Sequence, residues 1–251
     1  MAGLLTPPLA LRWMLCEPVL RAAGQLPHLA AMAETYTRVQ IPSIPAFLLF
    51  IACRQYLQNR GIVTPAMWIM IAANGVNAGL NALLIFGHLG FPSLGLVGSG
   101  IATTATRWFA LLGIVTWILV FGLYRDAWRG WDRRALAPSR ILEVLRFGAP
   151  VGIQLSLEIW AFQVATLMAG RFGAQALAGH TIVLNMASLS FMMPLGVSIG
   201  AATRVGNLIG AGDPRRAQLS AWVAFGLGGG LMTVAALVFV VARHWLPLAY
   251  T

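Results

Sequence analysis

The sequence contains no lysine, and only 10% of its 251 residues are charged. Soluble domains carry about 25% charged residues, so this chain has too little polar surface to cover a particle in water. It has only two cysteines, Cys16 and Cys53. Their apolar surroundings show neither metal-binding spacing nor a disulfide framework. Both are therefore interpreted as packed thiols.

Motifs of catalysis and of nucleotide binding are also missing. The sequence has no phosphate-binding loop, zinc motif or nucleophile elbow. No nucleophile–base pair or metal set is visible, so an enzymatic function is not predicted. All 17 basic residues are arginine, and the net charge is +10. These arginines stand between apolar segments instead of clustering on a solvated face with stacking aromatics, so the charge predicts membrane topology and not a nucleic-acid partner.

Apolar sequence is abundant, because 59% of the residues are hydrophobic. A helix needs about 20 mostly apolar residues to cross the hydrocarbon. No strand alternation is sustained, and only helices or closed barrels satisfy the backbone in lipid. The prediction is an all-α, polytopic membrane protein with about seven transmembrane helices. The candidate segments are 4–20, 41–57, 66–86, 94–123, 149–169, 182–205 and 219–241.

A long polar stretch predicts how the chain is divided. The stretch at 124–147 is the longest between apolar segments and holds six arginines. The predicted domains are a partial amino-terminal lobe at 1–123, a cytoplasmic inter-lobe loop at 124–148 and a partial carboxy-terminal lobe at 149–251. The two lobes would contribute about four and about three helices.

A short amphipathic helix is predicted inside this loop. Ile141, Leu142 and Leu145 form an apolar stripe at helical spacing, which is typical of a helix lying at the membrane surface. Gly148 and Pro150 are expected to end that helix before the next span.

The distribution of arginine predicts the orientation. Cytoplasmic joints tend to carry the excess of basic residues. With 124–147 inside, the amino terminus is also cytoplasmic and Thr251 is outside. The inside joints then hold Arg60, Arg125, Arg129, Arg133, Arg134, Arg140, Arg146, Arg204, Arg215 and Arg216, whereas Arg21, Arg38, Arg171 and Arg243 fall outside.

Glu158 is the most informative residue, because it lies inside the apolar segment 149–169. An ionisable side chain at membrane depth is costly unless it faces a wet cavity or a partner, so it is a functional-site hypothesis by default. The alternative is a locally hydrogen-bonded, structural glutamate. Gln154 lies one turn before Glu158 on the same helical face.

Several motifs together resemble one family of transporters. They are RQYLQ at 54–58 with PAM at 65–67, NGVNAGLN at 74–81, PSLGLVG at 92–98, GAPVGIQ at 148–154 with Glu158, AGHTI at 178–182, PLGVS at 194–198 and RVGN at 204–207. Their order resembles the multidrug and toxic compound extrusion (MATE) family, in its bacterial NorM-like type. The resemblance covers roughly residues 34–225, and the combination of motifs is more specific than any one of them.

The resemblance implies a secondary antiporter of the bacterial inner membrane, built from two six-helix lobes. Such a protein exports cationic, amphipathic drugs in exchange for Na⁺ or H⁺ and has no cofactor beyond the coupling ion. Glu158 stands where the family has the acidic residue of helix seven that takes part in cation coupling. Glu158, with Gln154 beside it, would therefore bind H⁺ or Na⁺.

The resemblance also implies a substrate cavity in the amino-terminal lobe. Asn77 and Asn81 match an asparagine pair that lines this cavity, and their four-residue spacing places both on one helical face. The alternative is that they have a structural role and form hydrogen bonds between helices. Thr103 and Trp160 are further cavity candidates. Their alternatives are a hydrogen bond from the threonine to its own helix and simple packing of the indole.

The chain maps onto about helices three to nine of the twelve in the family. The family's acidic partner for the helix-seven glutamate falls outside that range. The chain alone is therefore expected not to export drugs, and to need the missing helices or a second copy. Two other hypotheses stay open, namely a non-transporting membrane fragment and a lipid-linked oligosaccharide flippase. A flippase should place several arginines inside its cavity to hold pyrophosphate. Only Arg12, Arg54 and Arg107 lie within spans, so the flippase is disfavoured.

Overall fold

The computed structural model describes residues 2–22, 27–90, 92–125, 137–243 and 245. These residues form helices and turns, with no strand among them, which confirms the all-α prediction. The α-helices are α1 (Ala2–Met14), α2 (Cys16–Ala22), α3 (Pro27–Gln40), α4 (Ile44–Asn59), α5 (Thr64–Phe86), α6 (Gly95–Val120), α7 (Pro138–Arg171), α8 (Ala174–Gly210) and α9 (Pro214–Val241). Two short 3₁₀ helices, Ile41–Ser43 and His88–Gly90, complete the described elements.

Six stretches of helix are long and apolar enough to cross a membrane, where seven spans were predicted. They are Pro27–Asn59, Thr64–Phe86, Gly95–Val120, Pro138–Arg171, Gln175–Gly210 and Pro214–Val241. The predicted segment 4–20 is instead split between α1 and α2, which have 13 and 7 residues. A helix of 13 residues reaches about 20 Å, less than the hydrocarbon thickness of about 30 Å.

Pro18 lies three residues after the split at Leu15. A proline has no N–H, so Pro18 cannot donate to the carbonyl of Met14, where α1 ends. The helical hydrogen bonds resume with Val19 N donating to Leu15 O at 3.3 Å.

The span Pro27–Asn59 is interrupted between α3 and α4 by the 3₁₀ turn Ile41–Ser43. Prolines remove backbone donors here, and irregular backbone at membrane depth must be satisfied by neighbouring protein groups. Helix α6 supplies two of them. Thr104 Oγ1 donates to Val39 O at 3.1 Å, and Trp108 Nε1 donates to Pro42 O at 3.2 Å.

The chain divides into two compact units, Met1–Trp128 and Arg129–Thr251. The core of the first unit lies between α4, α5 and α6. Its buried side chains are Ala46, Phe50, Leu57, Ala66, Ala73, Ala110, Leu111 and Ile114. At one end of this core, Tyr56 Oη and Arg60 Nη1 each donate to Leu123 O at 2.6 Å. These bonds fasten the end of α4 to the turn after α6.

In the second unit, α7 runs without interruption through the start of the predicted span. The prediction of a separate surface helix ended by Gly148 and Pro150 is therefore wrong. Pro150 removes one backbone donor, and the helix continues through it, as membrane helices tolerate. With 34 residues α7 is about 51 Å long. Arg129, Arg133 and Arg134 of the predicted loop lie outside the described residues.

The start of α9 follows local sequence rules. Asp213 is its N-cap, and the backbone N–H of Arg216 donates to Asp213 Oδ1 at 3.0 Å. Pro214 occupies the first helical position, where its missing N–H would have no partner in any case. Helix α9 packs along α8, whereas α7 and α8 meet mainly near the tight turn at Gly173, whose φ is 102°.

Candidate functional site

The two predicted cavity asparagines form one hydrogen-bonded chain between α5 and α6. Asn81 Nδ2 donates to Asn77 Oδ1 at 2.9 Å, and Asn77 Nδ2 donates to Thr106 Oγ1 at 3.2 Å. Thr106 in turn donates to Ala102 O at 2.7 Å. Both asparagine side chains therefore lie on one face of α5, as their four-residue spacing predicts. The link from Asn77 to α6 is the interhelical bond that the structural alternative required.

One atom of this series of hydrogen-bonded side chains has no partner among the described residues. Asn81 Oδ1 is buried, and no hydrogen-bond donor within the described structure reaches it. An unsatisfied buried acceptor costs about 1–3 kcal/mol. The series of asparagines thus ends in an oxygen that can accept a hydrogen bond from a proton donor or an ammonium group. A purely structural role does not account for this unpaired oxygen.

Thr106 was not among the predicted site residues. It is four residues after Ala102 on α6, and no motif marks it. Only the register of α5 against α6 shows that its hydroxyl meets Asn77. Sequence spacing within one helix predicts which side chains share a face, but not which side chain of the next helix they touch.

The hydroxyl of Thr103 is used inside its own helix. Thr103 Oγ1 donates to Ser99 O at 3.0 Å, which is the alternative stated from the sequence. The side chain is half-buried, and its oxygen lone pairs remain available to accept a hydrogen bond. Thr103 is thus a candidate acceptor in this part of α6 and not a candidate donor.

The second candidate site lies on α7 and consists of Gln154 and Glu158, and the predicted cavity residue Trp160 lies on the same helix. All three side chains are exposed, and the indole of Trp160 is 65% accessible. No described residue forms a hydrogen bond or ion pair with the carboxylate of Glu158. The alternative of a locally hydrogen-bonded glutamate therefore finds no partner in the described part of the chain.

Glu158 lies in the second compact unit and the asparagine pair lies in the first, so each is a candidate site of its own unit. Among the described residues, no group of three or more His, Cys, Asp or Glu side chains is arranged to hold a metal ion. Glu158 would thus be the one acidic ligand that residues 149–169 of α7 offer to a cation such as Na⁺.

Six stretches of helix among the described residues are long and apolar enough to cross a membrane, and three of them carry the polar side chains Asn77, Arg107 and Glu158. These are the features of a multi-pass membrane protein. The profile of the MatE family matches residues 1–83 and 150–251, so the chain belongs to the MatE family. This family consists of transporters and not of enzymes.

Similar curated proteins carry multidrug-resistance names. The chain is 35% identical over 231 residues to the probable multidrug resistance protein NorM of Bradyrhizobium diazoefficiens, covering 91% of the chain and 49% of that protein. It is 36% identical over 243 residues to the multidrug resistance protein NorM of Burkholderia vietnamiensis, covering 96% and 52%. The chain spans about half the length of the curated relatives it matches.

A solved structure shows the same fold. The crystal structure of the eukaryotic MATE transporter AtDTX14 superposes with a TM-score of 0.81 at 22% sequence identity. The alignment covers 97% of this chain and 54% of that one. This likeness supports the helical MATE architecture, and the identity is too low to transfer site residues.

Proposed function

We propose that this chain forms part of a secondary antiporter that exports cationic, amphipathic drugs in exchange for Na⁺ or H⁺. The observation that carries the proposal is membership of the MatE family, joined to similarity with multidrug resistance proteins over nearly the whole chain. The export activity, the substrates and the coupling ion all belong to the proposal.

The two candidate sites have chemistries that suit an exchange of cations. The unpaired oxygen of Asn81 can accept a hydrogen bond from the ammonium group of a drug or from a proton carrier. Glu158 can hold either a proton or a metal cation, because a carboxylate binds both at its oxygens. A cation that binds one conformation more tightly than the other shifts the equilibrium between them, which is the physical basis of coupling.

The proposal is tested by deleting the gene at its native locus. We expect ethidium to accumulate to a higher level in the deletion strain, since loss of an exporter raises the internal dye concentration. Complementation with the gene should restore the wild-type level. Unchanged accumulation, with the protein confirmed in the wild-type membrane, would contradict export and support a non-transporting membrane protein.

The coupling ion is identified in everted membrane vesicles from the same strains. An imposed Na⁺ gradient or an imposed pH gradient is applied separately, and ethidium uptake into the vesicles is followed by fluorescence. The gradient that drives uptake in the wild type but not in the deletion strain identifies the ion. Uptake that depends on neither gradient would exclude coupling to Na⁺ and to H⁺.

We further propose that the protein lies in the bacterial inner membrane with the 124–148 loop in the cytoplasm. The predicted cytoplasmic amino terminus needs four crossings before this loop, and the described residues supply three membrane-length stretches there, so with the loop inside the amino-terminal residues would lie outside. The excess of arginine in this loop supports the orientation. Asp132→Cys, in a background lacking Cys16 and Cys53, should resist an impermeant maleimide in intact cells and react after permeabilisation. Ser93→Cys, in an outside joint, is the matched control and should react in intact cells. The reverse pattern would overturn the orientation.

A further inference from the structure

Arg107 is a basic residue at the middle of α6, a helix long and apolar enough to span the membrane. A charge at that depth is costly and is retained where it has a partner or a function. The side chain is half-buried, and it points toward the break between α3 and α4. It is used by neither of the two candidate sites described above.

Two neighbours fix the guanidinium in place. Arg107 Nη1 donates to Ser43 Oγ at 2.7 Å, and the hydroxyl of the fully buried Ser43 donates to Gln40 O at 2.7 Å. The guanidinium carbon lies 5.1 Å from the centroid of the Phe47 ring, a cation–π distance. The arginine is therefore held against the 3₁₀ turn by a serine and an aromatic face.

The charge of Arg107 is not neutralised by any acidic side chain of the described structure. Glu17 and Glu34 pair with Arg21 and Arg38, each within its own stretch of helix. Ser43 is the one hydrogen-bond acceptor that Arg107 meets among the described residues. A guanidinium carries five donors in a rigid fork that matches the two oxygens of a carboxylate or phosphate. The described residues therefore leave most of that fork without a hydrogen-bond acceptor.

We propose that Arg107 and Phe47 form a binding site for the oxyanion of an amphiphile. The carboxylate or phosphate would pair with the free edge of the guanidinium, and the apolar body would lie on the exposed part of Phe47, whose side chain is 45% accessible. The oxyanion has two sources, a carboxylate-bearing substrate or the phosphate of a lipid headgroup. The site rests on the proposed export function only where the oxyanion belongs to a substrate.

The test uses two dyes that differ by one ester. Rhodamine 110 has a free carboxylate, and rhodamine 123 is its methyl ester. Binding to the purified chain in phosphatidylcholine nanodiscs is measured by fluorescence anisotropy. We expect the wild-type chain to prefer rhodamine 110 by about tenfold, because a charge-assisted hydrogen bond is stronger than a neutral one. Equal binding of the two dyes to the wild-type chain would overturn the proposal without any variant.

Three variants locate the preference. Arg107→Gln should bind both dyes equally, and Arg107→Lys should keep part of the preference, because it retains the charge but not the fork. Arg54→Gln removes an exposed arginine on α4 and should keep the full preference. Circular dichroism checks that each variant is folded. A preference that survives in folded Arg107→Gln, or that Arg54→Gln abolishes, would refute the site.

A lipid arm separates the two sources of oxyanion. Phosphatidylglycerol, whose headgroup phosphate is not neutralised by a choline cation as it is in phosphatidylcholine, replaces a third of the lipid in the nanodiscs. If lipid phosphate occupies the site, rhodamine 110 should bind the wild type more weakly there, while Arg107→Gln shows no added loss. Unchanged binding assigns the site to carboxylate substrates. Because rhodamine 123 reports cation binding independently, failure of the proposed drug export and failure of this site are distinguishable.

Discussion

Replacing Glu158 by glutamine is expected to reduce ion-driven drug export by at least about tenfold, which corresponds to losing about 1.4 kcal/mol of coupling free energy. Glutamine keeps the size of the side chain and its ability to hydrogen-bond. It cannot carry the negative charge, and it cannot bind and release a proton as a carboxylate does. If Glu158 is the cation site, coupling should be lost while the helix remains intact.

The surroundings of Glu158 are the reason for so large an effect. The residue lies within a span of α7 and has no ion-pair partner in the described structure. No second acidic residue lies within the predicted span 149–169. An isolated carboxylate at membrane depth is costly, so a site that retains one for transport should depend strongly on it.

Everted vesicles made from the host, with Glu158→Gln introduced at the native locus, provide the measurement. Ethidium uptake is driven by the gradient that energises the wild type, and the amount of protein is matched. Glu143→Gln is the control, because it makes the same change on the same helix. Glu143 is exposed and pairs with Arg140 at 3.4 Å, and surface pairs of this kind contribute little. Full uptake by Glu158→Gln would remove this residue from the mechanism.

A second measurement separates coupling from drug binding. Ethidium binding at equilibrium, without a gradient, should be nearly unchanged in Glu158→Gln. Asn81→Leu, which removes the unpaired oxygen of the other site, should weaken equilibrium binding by about tenfold if that oxygen contacts the drug. Equal binding by Asn81→Leu and the wild type would return the asparagine chain to its structural interpretation.

Composition and local caps were sufficient for much of the fold. The length of the apolar segments predicted α5 to α9 as spans, since a bilayer sets the length that a helix needs. The N-cap at Asp213 and the helix start at Pro214 follow from the orphan N–H groups of a first turn. These features depend on neighbours in sequence, and no knowledge of tertiary contacts is needed to predict them.

The effect of proline could not be predicted in the same way. Pro18 coincides with a break in the first segment, whereas Pro150 and Pro194 lie inside continuous helices. The missing N–H is the same in all three places. Whether the helix bends, breaks or continues depends on which groups satisfy the freed carbonyl, and those groups come from the rest of the structure.

The spacing of small residues likewise does not predict which helices pack together. Gly196 and Gly200, and likewise Gly226 and Gly230, have GxxxG spacing, yet a Cβ on any of the four would meet nothing within 4 Å. Gly98 is not part of a GxxxG pair, yet it lies directly against the backbone of α5. Spacing shows that a close approach is sterically allowed. It does not show which helix approaches, so the contact at Gly98 depends on the register of α5 and α6.

Gly98→Ala should therefore destabilise the first unit by about 3 kcal/mol, the upper end of the usual cost of overpacking. A Cβ at Gly98 would overlap the carbonyl oxygen of Leu84 and lie 2.7 Å from its carbonyl carbon. These are backbone atoms, so no flexible side chain can move aside. The same carbonyl accepts the N–H of Leu94 at 2.9 Å, and this bond joins the turn before α6 to α5. Relieving the overlap would stretch that hydrogen bond.

Gly75→Ala is the matched control for this stability prediction. Gly75 lies inside α5, and a Cβ there would meet nothing within 4 Å. Alanine favours a helix interior by up to about 1 kcal/mol over glycine, so this variant should be neutral or slightly stabilised. Thermal unfolding of the purified chain in detergent, followed by far-ultraviolet circular dichroism, should show a lower midpoint for Gly98→Ala than for Gly75→Ala. Equal midpoints would mean that α5 and α6 do not meet at Leu84 and Gly98, and that the packing that brings Asn77 to Thr106 must be revised as well.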